Sequence, residues 1–161
     1  MAKPPRDRAS TRTNTYFVTT RAFEGQALFQ SERTANLLIE IILVYREQER
    51  YLLHEFVVMP NHLHLLLSPI APVTLERTMQ FIKGGYSHRA GKDMGMNGEI
   101  WQRGYVDHRV RDVQDYVRHL EYIRFNPVRA HIAQTPESYN FSSAFPGFTL
   151  DPVPQGLKPD V

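Results

Sequence analysis

The order of apolar patterns along this chain predicts an α+β domain: a βαββαβ core with an antiparallel sheet, plus one additional helix towards the C-terminus. Three observations carry that expectation. YFVTT (16–20), YLLHEFVVM (51–59) and HLHLLLS (62–68) are rich in β-branched, aromatic and alternating apolar residues and read as strands. Residues 31–49 repeat apolar side chains at helical rather than strand spacing. The two middle strands are separated only by Pro60-Asn61, a turn pair, so they form an antiparallel hairpin.

The elements follow in order. Residues 1–13 are polar and basic and hold a Pro pair, which reads as a flexible arm. After the first strand, Ser31 is a natural N-cap for a helix whose Leu37, Leu38, Ile41, Ile42 and Tyr45 share one face. Beyond the hairpin, Pro69 and Pro72 break the pattern. Thr74 caps a second helix, with Leu75, Met79, Ile82 and Tyr86 as its apolar stripe, running to about residue 91. GKDMGMNGE (91–99) reads as a loop and IWQRGYVDHRV (100–110) as a fourth strand around a glycine. Asp112 starts a third helix, expected to end near Asn126 because the residue before Pro127 is pushed out of the α region. From Thr135 onward Pro, Gly and Ser dominate. The predicted division is an arm over 1–13, one domain over 14–145 and a loose tail over 146–161, on a ferredoxin-like, RRM-like plan.

Composition narrows the function classes. At 161 residues the chain has the length of one domain with a proper core. No run of 18 apolar residues exists to span a membrane, and the start lacks the apolar segment of a secretory signal. With no cysteine there is no disulfide, thiol nucleophile or thiolate zinc site, which suits a reducing cytoplasm. The net charge of +2 is slight, but the cations are clustered. Lys3, Arg6, Arg8 and Arg12 stand against Asp7 alone, and residues 103–129 hold six arginines against four acids. Arginine's planar fork suits phosphate.

The chemistry-bearing pattern begins at VVMPNHLHLLLS (57–68). Successive strand side chains alternate faces, so His62 and His64 look the same way while Leu63, Leu65 and Leu67 look the other. The back of the strand builds core and the front presents two imidazoles, the commonest protein metal ligands. On the third helix, Val113, Tyr116, Val117, Leu120 and Ile123 trace one apolar stripe, and Tyr122 lies about 200° round from Leu120. Asn126, four residues on, sits one turn above Tyr122. A tyrosine outside its helix's core stripe, beside an amide, is a candidate functional residue.

His62-Leu63-His64 after a strand ending MPN, a later helix carrying Tyr122, and then NPVRA together resemble the HUH single-tyrosine transposases, specifically the REP-associated tyrosine transposases related to IS200. The resemblance covers roughly residues 14–145, including FIKGGYSHR and IWQRGYVDHRVRD. It implies that His62 and His64 bind Mg²⁺ or Mn²⁺, that Tyr122 on a catalytic helix is the nucleophile, and that Asn126 stands where insertion-sequence relatives carry a glutamine as third ligand. It further implies cleavage and rejoining of single-stranded DNA at hairpins of repetitive extragenic palindromes through a 5′-phosphotyrosine, by a monomer or homodimer in the cytoplasm at the nucleoid. Arg12, Lys83, Arg89, Arg103, Arg109 and Arg124 are candidates for DNA contacts, and His108 or His119 for proton handling. Two other readings remain open: a nuclease whose metal activates water, and a non-enzymatic nucleic-acid-binding domain.

Overall fold

The computed structural model describes residues 14–159. The chain forms β1 (Thr15–Arg21), α1 (Glu32–Glu47), β2 (Tyr51–Met59), β3 (His62–Pro69), α2 (Leu75–Met94), β4 (Val106–Val110) and α3 (Val113–Arg129), with short 3₁₀ turns at Phe23–Gly25 and Pro136–Ser138. The four strands make one sheet in the order β2-β3-β1-β4, every pair antiparallel. The predicted α+β plan is the observed one.

Strand periodicity divides the sheet into two faces. Val18, Phe56, Val58, Leu63, Leu65 and Leu67 are buried on one, against Leu38 and Ile42 of α1 and Met79, Ile82 and Tyr86 of α2. Val57, Met59, Leu66 and Val110 are buried on the other with Tyr116 and Ile123 of α3. Because helices cover both faces, β2 is apolar almost without alternation. Leu53 joins the first face although it lies three residues before Phe56, because a bulge between Leu53 and Glu55 resets the alternation. Helix starts are capped as the sequence implies: the side chains of Ser31, Thr74 and Asp112 accept from the backbone N–H of Thr34, Arg77 and Asp115, each cap contributing about 1 kcal/mol. Gly85 is where α1 and α2 come close, since a Cβ there would lie 2.9 Å from the Tyr45 hydroxyl.

Four boundaries differ from expectation. α2 runs on through Gly91 to Met94 and ends at Gly95, whose left-handed backbone (φ 63°) closes it. β4 is confined to Val106–Val110, because Gly104 (φ 79°) turns the chain and leaves Trp101 a single bridge to Ala22. α3 does not stop at Asn126: Pro127 lies inside it, buried, and the carbonyls of Asn126 and Pro127 accept from Ala130 and Ile132, so the last turn is held despite the missing proline N–H. The segment expected as a loose tail is bound down over its described part. Phe148 packs edge-on to Phe56, Asp151 pairs with Arg46 at 2.9 Å and accepts from Leu53 N–H, and Lys158 exchanges backbone hydrogen bonds with Arg111 and Val113. The arm over 1–13 lies outside the described residues.

Leu65→Ala, emptying a fully buried position in the main core, is expected to lower unfolding free energy by about 2–5 kcal/mol. Val44→Ala, on the outer side of α1 at 39% exposure, should stay within about 0.5 kcal/mol. Urea midpoints of the two variants check this.

Candidate active site

The β1–β3 register builds the site. Thr19 stands opposite His64 and Arg21 opposite His62, all on the face covered by α3. The two imidazoles lie edge to face with centroids 4.8 Å apart. His64 is buried, and its Nδ1 is 2.8 Å from Thr19 Oγ1. Its Nε2 is buried as well and has no hydrogen-bond partner among the described residues. In the half-buried His62, Nδ1 lies 2.7 Å from Asn61 Oδ1. An amide oxygen only accepts, so His62 Nδ1–H donates and Nε2 keeps its lone pair. Both rings are thus tied at Nδ1 and untied at Nε2.

Burial, reinforced by Arg21, pushes the His62 pKa down to about 4. Burial first, then His62 and Arg21, takes His64 down to about 3. Two neutral imidazoles are the form that ligates cations. A buried nitrogen without a partner is costly unless something fills its place, so the pair fits the divalent ion that the sequence pattern implies.

α3 brings the phenol to the same place. The Tyr122 ring is 5.4 Å from the His64 ring and edge-on to it, and 5.8 Å from Phe17. Phe17 sits between them all, stacked on His64 at 5.3 Å and against His119 at 4.7 Å. The predicted apolar stripe needs correction. Tyr116 and Ile123 are buried, but Val117 is exposed and Pro127 takes a core place instead. The helix is therefore rolled so that His119 and Tyr122 flank the buried row and meet the sheet, rather than standing on its far side. Asn126 is half-buried, one turn beyond Tyr122.

Three neighbours escaped sequence reasoning. Thr19 and Arg21 have the right strand parity, but only the register with β3 reveals which histidine each faces. The Arg129 guanidinium lies 5.0 Å from the Tyr122 ring centroid, and its Nη1 donates to the Tyr122 carbonyl at 3.3 Å. Arg129 is seven residues after Tyr122, two turns along the same face. A helix ending at Asn126 leaves Arg129 off that face, whereas α3 continues through Pro127 to Arg129.

The basic candidates do not converge on this site. Lys83 donates from Nζ to the carbonyls of Gln102 and Gly104, holding the loop before β4, and burial lowers its pKa. Arg89 pairs with Asp93 and Glu40 among the helices of the opposite face. Arg109 alternates with His108 on β4, pairs across from Tyr16, and donates to Asn14 Oδ1. Arg124 is on α3 but its Nε donates at 3.2 Å to Glu55, a fully buried carboxylate. Arg103 is exposed in the loop before β4, and Arg12 lies outside the described residues.

A model of the family described as "Transposase IS200 like" matches residues 12–126, well over half of the chain. The chain belongs to this family. The family places it among DNA-cleaving and strand-transferring enzymes. A REP-associated tyrosine transposase of Escherichia coli K12 is 27% identical over 124 residues, covering 76% of this chain and 69% of that protein. A Haemophilus influenzae Rd protein provisionally assigned the same description is 27% identical over 116 residues, covering 65% of this chain and 66% of its own length. The chain thus spans about two thirds of these relatives. Among solved structures, a REP-associated tyrosine transposase bound to a REP hairpin shares the fold with TM-score 0.70 at 23% identity, over 89% of this chain and 82% of that one. A Deinococcus radiodurans R1 protein provisionally assigned as a transposase follows at TM-score 0.56 and 18% identity, over 74% of this chain and 98% of that one. Among the described residues no helix is long and apolar enough to cross a membrane.

The lowered histidine pKa values set the sign of an acid dependence. An unfolded histidine titrates near about 6.5, so between that value and about 4 (His62) or 3 (His64) the unfolded chain binds more protons. The stability from keeping both rings neutral is complete above about pH 6.5 and is lost as pH falls below it. Urea midpoints from pH 7.5 to 4.5 should therefore decline, and His64→Gln should flatten that slope.

Proposed function

We propose that this transposase-family chain cleaves and rejoins single-stranded DNA beside palindromic hairpins of the REP type, with Tyr122 as nucleophile and His62 and His64 as ligands of a divalent ion. The observation that carries the reading is the 5.4 Å approach of the Tyr122 ring to the His64 ring, from elements 58 residues apart in sequence. A hairpin-bound structure among its fold relatives supports the substrate class.

The Tyr122 hydroxyl oxygen attacks the scissile phosphorus. A Tyr O–P bond forms, the bond from phosphorus to the 3′ oxygen breaks, the phenolic proton is released, and the departing 3′ oxygen takes up a proton. One phosphodiester is exchanged for another, so a second 3′-hydroxyl reverses the step on a new strand without ATP. The ion, held by His62 and His64 with Asn126 as candidate third ligand, would supply charge neutralisation at the phosphate. Two imidazoles are soft for Mg²⁺, so Mn²⁺ is the better match of the two. This chain's own residues do the rest: Thr19 and Asn61 hold the imidazoles, Phe17 braces His64 and Tyr122, and Arg129 and Arg21 flank the site with positive charge suited to a phosphodiester. Tyr122 reaches the histidines within one chain, so a single copy suffices for the cleavage step. On this reading the protein works in the cytoplasm, on nucleoid DNA.

With a labelled hairpin carrying a single-stranded flank and Mn²⁺, the wild-type chain is expected to give a DNA-linked protein band that survives denaturing gel electrophoresis. Tyr122→Phe should abolish band and cleavage alike. Cleavage by Tyr122→Phe without an adduct would instead indicate a water-activating nuclease, and chelator-insensitive binding without cleavage a passive binding domain.

A further inference from the structure

Beside the site, and with no part in the chemistry above, one more group of metal-ligating side chains draws together among the described residues: His108, Asp115 and His119. His108 comes from β4, where it pairs across from Phe17 and so shares the face of the histidine pair. Asp115 and His119 come from successive turns of α3, four residues apart on one flank. His108 Nε2 lies 2.6 Å from Asp115 Oδ2, and His119 Nδ1 lies 3.1 Å from Asp115 Oδ1 while donating at 2.8 Å to the Asp115 carbonyl. The two imidazoles stack at 4.8 Å, and one ligating atom from each of the three residues lies within 4.8 Å of the others. The Asp115 side chain is well covered at 17% exposure, whereas His108 is open at 51%. Arg118 approaches the carboxylate at 3.8 Å but is itself largely in solvent.

We propose that His108, Asp115 and His119 form a second cation site, taking a borderline transition ion of the Zn²⁺ class, distinct from the His62/His64 pair. Two imidazoles and one carboxylate are the donors such ions prefer, and they select against Mg²⁺, which requires oxygen. The ligands are already collected: two ring nitrogens converge on one carboxylate, so hydrogen bonds stand where ion–ligand bonds would form. On binding, the proton on His108 Nε2 and that on His119 Nδ1 would each move to the other nitrogen of its ring, and the hydrogen bonds these nitrogens now donate, to the Asp115 carboxylate and the Asp115 carbonyl, would be exchanged for coordination. The open side at His108 leaves room for water as a further ligand.

The consequence is mechanical. The ion would tie edge strand β4 to the opening turns of α3, the helix that carries Tyr122. His119 is three residues before Tyr122, and its ring packs on Phe17, which touches both Tyr122 and His64. Occupancy would therefore stiffen the platform on which the phenol rests.

Cobalt(II) titration of the full-length chain, followed by visible absorption and equilibrium dialysis, tests the site. Two equivalents of Co²⁺ are expected per wild-type chain, one after His62→Gln/His64→Gln, and one after His108→Asn/His119→Gln. Zn²⁺ should raise the thermal midpoint of the first variant, whose remaining site is His108, Asp115 and His119, because a ligand bound only by the native state stabilises it. His108→Asn alone, at a half-exposed edge-strand position, serves if the double change unfolds the chain. A wild type that takes one equivalent, lost only on changing His62 and His64, overturns the second site. Two equivalents that persist in the His62→Gln/His64→Gln chain would count against the metal pair and leave the second site standing.

Discussion

Thr19 faces His64 across the central strand pair, and the layout of the site follows from that register. β3 alternates a leucine face with a histidine face, and a slip of one residue against β1 would bring the leucines to the α3 side and bury the imidazoles in the main core. The pairing is therefore enforced by the apolar face, not by the site. Leu63, Leu65 and Leu67 are all fully buried, and at about 2–5 kcal/mol for truncating each such side chain their placement outweighs the cost of holding one partly desolvated imidazole pair. The fold spends core energy to keep two histidines neutral and turned the same way.

The second face of the sheet is closed by a helix with few apolar contacts of its own, and its polar groups are matched individually. Glu55 is buried under α3, its carboxyl raised above the ordinary range by burial and partly restored by Ser143 and Arg124. Ser143 donates to it at 2.6 Å and Arg124 at 3.2 Å. Removing either partner would leave a buried acceptor short of a donor, a larger penalty than the pair's net worth. These contacts fix the roll of α3, and the roll decides whether Tyr122 meets the histidines or solvent. The proposed catalytic geometry thus rests on residues outside it.

Local signals in the sequence carried much of this. Caps at Ser31, Thr74 and Asp112, the hairpin through Pro60-Asn61, the order of strands and helices along the chain, and the shared parity of His62 and His64 are all properties of neighbours in the chain. What failed depends on distant partners. α3 exposes Val117 and buries Pro127, and Arg124 on it is held by Glu55 of β2. Lys83 and Arg124, both cationic by sequence, are held by loop carbonyls and a buried carboxylate from far along the chain. The last described residues pack because Asp151 finds Arg46 and a β2 amide, and composition alone cannot show that. Thr19 and Arg129 became visible only once strand register and the true helix end were known.

The account turns on the free ring nitrogens of the two histidines sharing one space in front of Tyr122. Long-range ¹⁵N–¹H correlation spectra of the imidazoles, recorded between pH 5.5 and 8 on the free protein, report that arrangement directly. His62 and His64 are expected as neutral Nδ1–H tautomers with unprotonated Nε2 throughout, and added Mn²⁺ should broaden both signals together with those of Tyr122. An Nε2–H tautomer in either ring, or Mn²⁺ broadening that spares Tyr122, would contradict it.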